Sequence, residues 1–236
     1  MIERIHKIIS SYGLISRRKA EELIEQGRIS VNGKIAKIGD KADSEKDLIK
    51  IDGKPINKER KRYIVFNKPK FVLCTMEHVP GRKSLSNYIR IKERIYPAGR
   101  LDYDSEGLVF LTNDGEITNR ITHPRYEIEK EYFVKINKPI REPDVHLLRK
   151  GIMLEDGMSW PARVKVLNDE RTILSIIIHE GRKWEVKRMF QKLGYEMNSL
   201  LRTRIGNIFL GDLRQGRFRK LSYQELQNLK KLLGIV

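Results

Sequence analysis

Three carboxylates, Asp102, Asp104 and Glu106, crowd the stretch PAGRLDYDSEGLVFLTNDG (97–115), immediately before an apolar run. Three kinds of chemistry could explain them. As a metal loop, DYDSEG resembles the opening of an EF-hand, with Gly107 at the sixth position. The twelfth position, however, holds Asn113 where a bidentate Glu is needed, and the residues between are Leu-Val-Phe-Leu-Thr. A segment that wraps a cation cannot also be a buried strand. As a structural loop, Asp102 would pair with Arg100 while the others faced water. As a catalytic site, Asp102 would sit at the mouth of a strand, kept ionised by the neighbouring Arg and ready as nucleophile or base. Residue types alone do not choose between the second and third readings.

The elements that must position this stretch are mostly legible. In residues 1–56, Ile2, Ile5, Ile8, Ile9 and Tyr12 recur at helical spacing up to Gly13. Ser16 is an N-cap for a second helix, SRRKAEELIEQ, which Gly27 stops. ISVNGKIAKIGD predicts a hairpin around Asn32-Gly33, and LIKIDGKPI one further strand. NKERKR (57–62) reads as a charged linker on which the small unit could swing. Beyond it the patterns predict strands near 63–67, 107–112, 131–136, 162–167 and 172–178. Helices are expected near 84–91, 116–121, 143–149, 185–193 and 223–233. The class is α+β, with domains at 1–56 and 63–236 and no internal repeat.

Charge narrows the partners. The chain has 48 Lys and Arg against 31 Asp and Glu, a net charge of +17 over 236 residues. Such an excess binds phosphate backbones through counterion release. Residues 182–220 carry eleven basic and three acidic residues, including Arg182, Lys187, Arg188, Arg202 and Arg204. A second cluster, Arg17, Arg18 and Lys19, opens the second predicted helix, whose N–H groups also favour a phosphate. No zinc finger, helix-turn-helix or single-strand aromatic platform stands out, so structured RNA is the expected partner. No stretch approaches the roughly 20 apolar residues of a membrane span, and the opening residues are not a signal peptide. The single cysteine, Cys74, excludes an intramolecular disulfide and follows apolar residues, as an inert core thiol would. A cytoplasmic monomer without metal is expected.

Several segments, in order, resemble one family. AGRLDYDSEGLVFLTNDGE is similar to the GRLD…GLLLLTNDG signature of the ribosomal RNA pseudouridine synthases of the RsuA/RluB group. YIVFNKP resembles that family's first motif and HPRYEIEKEYFVKI its HP…KxY segment. HEGRKWEVKRMFQKLG and RTRIGNIFLGDLRQGRFRKLS resemble its third motif and C-terminal segment. Residues 1–56 resemble the small S4-type RNA-binding domain that many members carry.

The resemblance implies a pseudouridine-synthase-type mixed, mainly antiparallel sheet with flanking helices. It also implies conversion of uridine to pseudouridine in ribosomal RNA, naked or in an assembly intermediate, without cofactor. Asp102 would be the essential carboxylate, attacking the uridine or taking a ribose proton. Arg100 would occupy the space the uridine vacates or contact the target's neighbours, and Tyr132 would stack on its base. Lys187, or Arg188 in its place, would pair with Asp102, while Arg17, Arg18, Lys19, Arg182, Arg202 and Arg204 would hold phosphates. Asp104 and Glu106 would shape the loop or face solvent. Trp184 stands where the family has a polar residue or histidine and would pack the strand-to-helix turn instead of touching RNA, and Phe71 stands where glycine is usual. The rival expectation is a non-catalytic RNA-binding or ribosome-assembly factor on the same fold.

Overall fold

The computed structural model describes residues 2–235 and divides into two compact units. The first comprises residues up to Arg62 with 91–96 and 112–115. It opens with β1 (Ile2–Arg4), α1 (Ile5–Ser11) and α2 (Arg17–Glu25), followed by β2 (Ile29–Val31), β3 (Lys34–Ile35), β4 (Lys41–Asp43), β5 (Ile49–Ile51) and β6 (Lys54–Pro55). The first helix is shorter than its periodicity predicts: Ile2 lies on β1, paired with Asp43, and is exposed. Ile5, Ile8 and Ile9 of α1 pack on Ala20, Leu23 and Ile24 of α2. The Ser16 hydroxyl accepts from Lys19 N–H at 3.1 Å, the expected cap. Asn32 and Gly33 turn the β2–β3 hairpin at φ 50° and 84°, the paired positive values of a type I′ turn. Residues 57–62 are bonded inside this unit: Asn113 accepts from Arg62 N–H and donates to Arg60 O, and Lys61 donates to Ser11 O.

The second unit is built on one sheet. In chain order its elements are β7 (Tyr63–Lys68), β8 (Tyr96–Pro97), β9 (Glu106–Thr112), α3 (Gly115–Thr122), β10 (Lys130–Ile136) and α4 (Glu142–Lys150). Then come β11 (Met153–Leu154), β12 (Gly157–Met158), β13 (Arg163–Val166), β14 (Ile173–Ile178) and α5 (Glu185–Lys192). β15 (Met197–Ile205), β16 (Ile208–Phe209), β17 (Phe218–Lys220) and α6 (Tyr223–Leu232) close the chain. Nine strands form a sheet ordered β13-β14-β10-β15-β9-β7-β17, with β16 on β15 and β8 on β9. Its pairings are mainly antiparallel, but β15 and β9 run parallel, with Gly107 opposite Arg202. That parallel pair brings the start of β9, where the acidic stretch ends, against the middle of β15.

β9 is buried along nearly its whole length, as a central strand covered on both faces must be. Its Leu108 and Phe110 join Ile117 and Ile121 of α3 and Leu229 of α6 in the core. Two expectations are corrected. The helix expected near 84–91 is a single 3-10 turn, Leu85–Asn87: Ser84 and Asn87 form a capping box at its start, but it ends at Tyr88, whose N–H bonds Leu85 O. β15 was not among the expected strands, since Arg202 and Arg204 disguise its apolar alternation. Among the described residues no helix is long and apolar enough to cross a membrane.

Candidate active site

The loop between β8 and β9 carries Arg100 and Asp102 into the wall of a cleft of about 260 Å³. Two buried cations shape that loop from beneath. Lys68, fully buried at the end of β7, donates to Ser105 O at 2.8 Å, Pro69 O at 3.0 Å and Tyr103 O at 3.4 Å. Burial pushes its ammonium down to about 8 against the pull of Asp102, Asp104 and Glu106. Arg202 donates through Nε to Leu108 O at 2.7 Å and through Nη1 to Arg100 O at 3.4 Å. Phe71 adds a backbone bond to Tyr103 O and occupies φ 61°, so this chain adopts with a phenylalanine the left-handed backbone that glycine would take.

Asp102 faces α5. Lys187 Nζ lies 3.7 Å from Asp102 Oδ2 and makes a closer ion pair with Asp104. Burial raises the Asp104 carboxyl, but the bond and charge of Lys187 outweigh that and hold it below the usual carboxylate range. Glu106 instead takes Gln215 at 2.8 Å and Lys70 at 3.9 Å. The stretch is therefore split between partners, and among the described residues no His, Cys, Asp or Glu group is placed to hold a metal ion. Tyr132 of β10 lines the same cleft and is 8% exposed.

The other predicted positions separate into surface and interior. Arg17, Arg18 and Lys19 lie exposed at the start of α2, with Lys19 paired to Glu22. Arg188 is turned from Asp102 and grips Asp156 with both terminal nitrogens, at 2.9 and 3.0 Å. Arg182 is a clamp: it bonds Glu180 at 2.8 Å and Asp156, Gly157 O and Met158 O on the β11–β12 hairpin. Arg202 is 2% exposed and cannot track a phosphate from the surface; it holds the backbone of the Asp102 loop instead. Arg204 is tied to Glu129 and Glu131.

Three further ionisable groups escaped the sequence reading. One is Lys68. Lys130, in the cleft wall, is pushed down to about 8 by burial and donates to Ile128 O at 3.0 Å. Glu185, also in the wall and 3% exposed, is pushed up to about 8 by burial and by its bond with Glu180. For Lys68 the available signal is a charge that closes a largely apolar run, YIVFNK.

Comparison with known proteins places the chain among RNA-modifying enzymes. It belongs to the RNA pseudouridine synthase family: residues 62–192 match the family described as RNA pseudouridylate synthase, and residues 3–49 match the S4 domain. The chain is 44% identical to an uncharacterized RNA pseudouridine synthase of Aquifex aeolicus, over 98% of this chain and 95% of that one. It is 39% identical to ribosomal large subunit pseudouridine synthase B of Bacillus subtilis, over 98% and 97%. A crystal structure of a pseudouridylate synthase matches with a TM-score of 0.70 at 32% identity, over 96% of this chain and 99% of that one.

Proposed function

We propose that this enzyme isomerises a uridine of ribosomal RNA to pseudouridine, with Asp102 as the essential carboxylate. The observation that supports this most directly is the grouping of Asp102, its cation Lys187 and the Tyr132 ring in one cleft. A paired uridine must leave its stack to enter the cleft, at a cost of roughly a few kcal/mol. Asp102 then attacks C1′ or removes the C2′ proton, and the bond from N1 to C1′ breaks. The freed uracil turns over against Tyr132, C5 bonds to C1′ as Asp102 leaves that carbon or returns the proton to C2′, and the hydrogen on C5 leaves as N1 takes up a proton. Nothing is oxidised or reduced overall, so the isomerisation needs no external electron carrier. Lys187 is the cation beside Asp102 in the first step. Arg100, exposed beside it, enters the space the uridine leaves. The S4 unit holds the RNA through Arg17, Arg18 and Lys19.

The name of the Bacillus subtilis relative makes large-subunit RNA the first substrate to test. Unmodified large- and small-subunit RNA, tritiated at uridine C5, would be incubated with the native enzyme and with Asp102→Asn. Release of label by the native enzyme alone supports the reading. If both RNAs bind and neither releases label, partly assembled subunits are tried next. Silence there would reduce the protein to a binder.

A further inference from the structure

Trp184 breaks three local rules at once. It is a bulky aromatic at φ 57°, in the left-handed region that such side chains rarely occupy. It stands at the N-cap of α5, where a small polar residue would bond the helix N–H groups, and its side chain makes no cap bond. Its ring is 51% exposed although it lines the cleft. None of this favours folding. Strain of this kind persists where the surroundings enforce it, and it gathers at binding sites.

The surroundings do enforce it. The turn preceding α5 is held by Arg182, which bonds Glu180 and reaches over to the β11–β12 hairpin, while Glu185 is buried directly after Trp184. The backbone that carries the indole is thus held in the wall of the cleft that Asp102 lines. The Lys183 ammonium sits 4.4 Å from the centre of one ring face. Among the described residues no second ring or cation covers the other face. Arg100 is exposed on the same cleft.

From this geometry we infer that Trp184 is a stacking subsite for the unpaired RNA base next to the target uridine. The inference rests on the isomerase reading above. When the uridine turns out of its helix, a neighbouring base loses its stacking partner. Arg100 takes the vacated slot inside the helix, while the unpaired neighbour displaced toward the cleft stacks on the open face of Trp184, with Lys183 on the opposite face close enough to meet the adjoining phosphate. Stacking on an aromatic ring tolerates any base, so the subsite contributes affinity and register without reading sequence.

The chain has two tryptophans, so Trp160→Phe leaves Trp184 as the sole indole emitter. This variant would be titrated with unmodified large-subunit ribosomal RNA, and binding followed in parallel by filter retention. Saturating RNA is expected to quench the emission and shield the ring from acrylamide. Trp184→Ala and Trp184→Leu are expected to lose about ten- to a hundredfold in kcat/KM for tritium release. Trp184→Phe should stay within about threefold of native, by the same sequence-tolerant stacking. Trp184→Gly should lose activity like the Ala variant while its Tm holds or rises, because glycine relieves the backbone strain. The inference is overturned if RNA binds with emission unchanged, or if Leu serves as well as Phe, which would make bulk sufficient. It is equally overturned if the Gly variant unfolds early, which would make Trp184 a packing residue. If emission is quenched while the native enzyme releases no tritium from any RNA, the isomerase reading fails and the stacking subsite stands.

Discussion

The Lys187 ammonium lies 3.7 Å from Asp102 Oδ2, yet its closer ion pair is with Asp104, so one cation of α5 is shared between two carboxylates of the loop before β9. Asp104 is the more exposed of the two and lies outside the residues lining the cleft. It holds Lys187 from outside the cleft lining.

Removing each partner should therefore have unequal effects. Lys187→Met leaves Asp102 without its cation and should lower kcat about a hundredfold, the scale set by misplacing a catalytic group. Lys187→Arg keeps the charge with a different reach and should recover part of the loss. Asp104→Asn frees Lys187 for Asp102 and should keep kcat within about tenfold of native, since only the positioning of Lys187 is lost. Single-turnover tritium release on one RNA substrate ranks the three. A loss for Asp104→Asn as deep as for Lys187→Met would show that Asp104 takes part in the chemistry.

Lys68 offers a second test, because its bonds go to the backbone of the loop that carries Asp102. Lys68→Met removes the donor to three carbonyls, and each buried acceptor left unpaired costs about 1–3 kcal/mol, offset in part by the removal of a buried charge. The expected result is a loss of activity out of proportion to the loss of Tm. A pH signature accompanies it. The Lys68 ammonium is held down to about 8, so between about 8 and the ordinary lysine value the unfolded chain binds more protons than the folded one. Stability then rises with pH across that window. Chemical denaturation from pH 8 to 10.5 should show the rise in the native enzyme and a smaller one in Lys68→Met, Lys130 supplying the remainder.

These residues also mark where a sequence stops being informative. The Asn32-Gly33 hairpin, the Ser16 cap and the strand after Asp102 are local patterns, and each lies where its spacing predicts; LIKIDGKPI, read as one strand, instead folds back on itself as the β5–β6 hairpin. Asp102 could be picked out because its ordered motifs resemble a family; residue types alone left two readings open. The basic run after Arg182 misleads, since charge counted along a chain ignores partners brought by the fold. Arg182, Arg188, Arg204 and Arg219 are bound to Glu180, Asp156, Glu131 and Glu225, and Arg202 is buried under the loop. For the same reason β15, the strand on which that loop rests, hides behind its arginines. Lys68 and Glu185 titrate abnormally only because distant segments bury them.

Gly107 gives a purely steric prediction. An added Cβ would stand 2.4 Å from Arg202 O and 2.8 Å from Arg202 N, both backbone atoms of the paired strand, at a φ of +105°. Neither atom can move without separating β9 from β15 beside Asp102. Gly107→Ala should cost about 2–5 kcal/mol through overpacking and strain, or roughly 5–15 °C in Tm for a chain of this length. Gly181→Ala, with nothing within 4 Å and no positive φ, is the control. It should change stability by no more than about 0.5 kcal/mol, as an unconstrained surface substitution does. Thermal melts of both variants decide it.

The Glu180–Glu185 pair predicts a pH dependence of opposite sign to that of Lys68. Burial and the bond with Glu180 push the Glu185 carboxyl up to about 8, so near neutrality the folded protein keeps a proton there that the unfolded chain has released. Stability from this group is therefore lost as pH rises from the ordinary glutamate value to about 8, and is level above that. Burial also raises Glu180, but its bonds with Glu185, Trp160 N–H and Arg182 outweigh burial and bring it below an ordinary glutamate. It stays charged across the window. Glu185→Gln supplies a permanent N–H donor to Glu180 and no titrating group. At pH 5 the variant should melt close to the native protein. By pH 8 it should melt higher by at least about 1 kcal/mol, or roughly 2–4 °C. Because this pair anchors the turn that leads into Lys187, the same variant should also extend activity toward alkaline pH. A melting difference that stays flat from pH 5 to 8 would show that Glu185 enters the fold already charged.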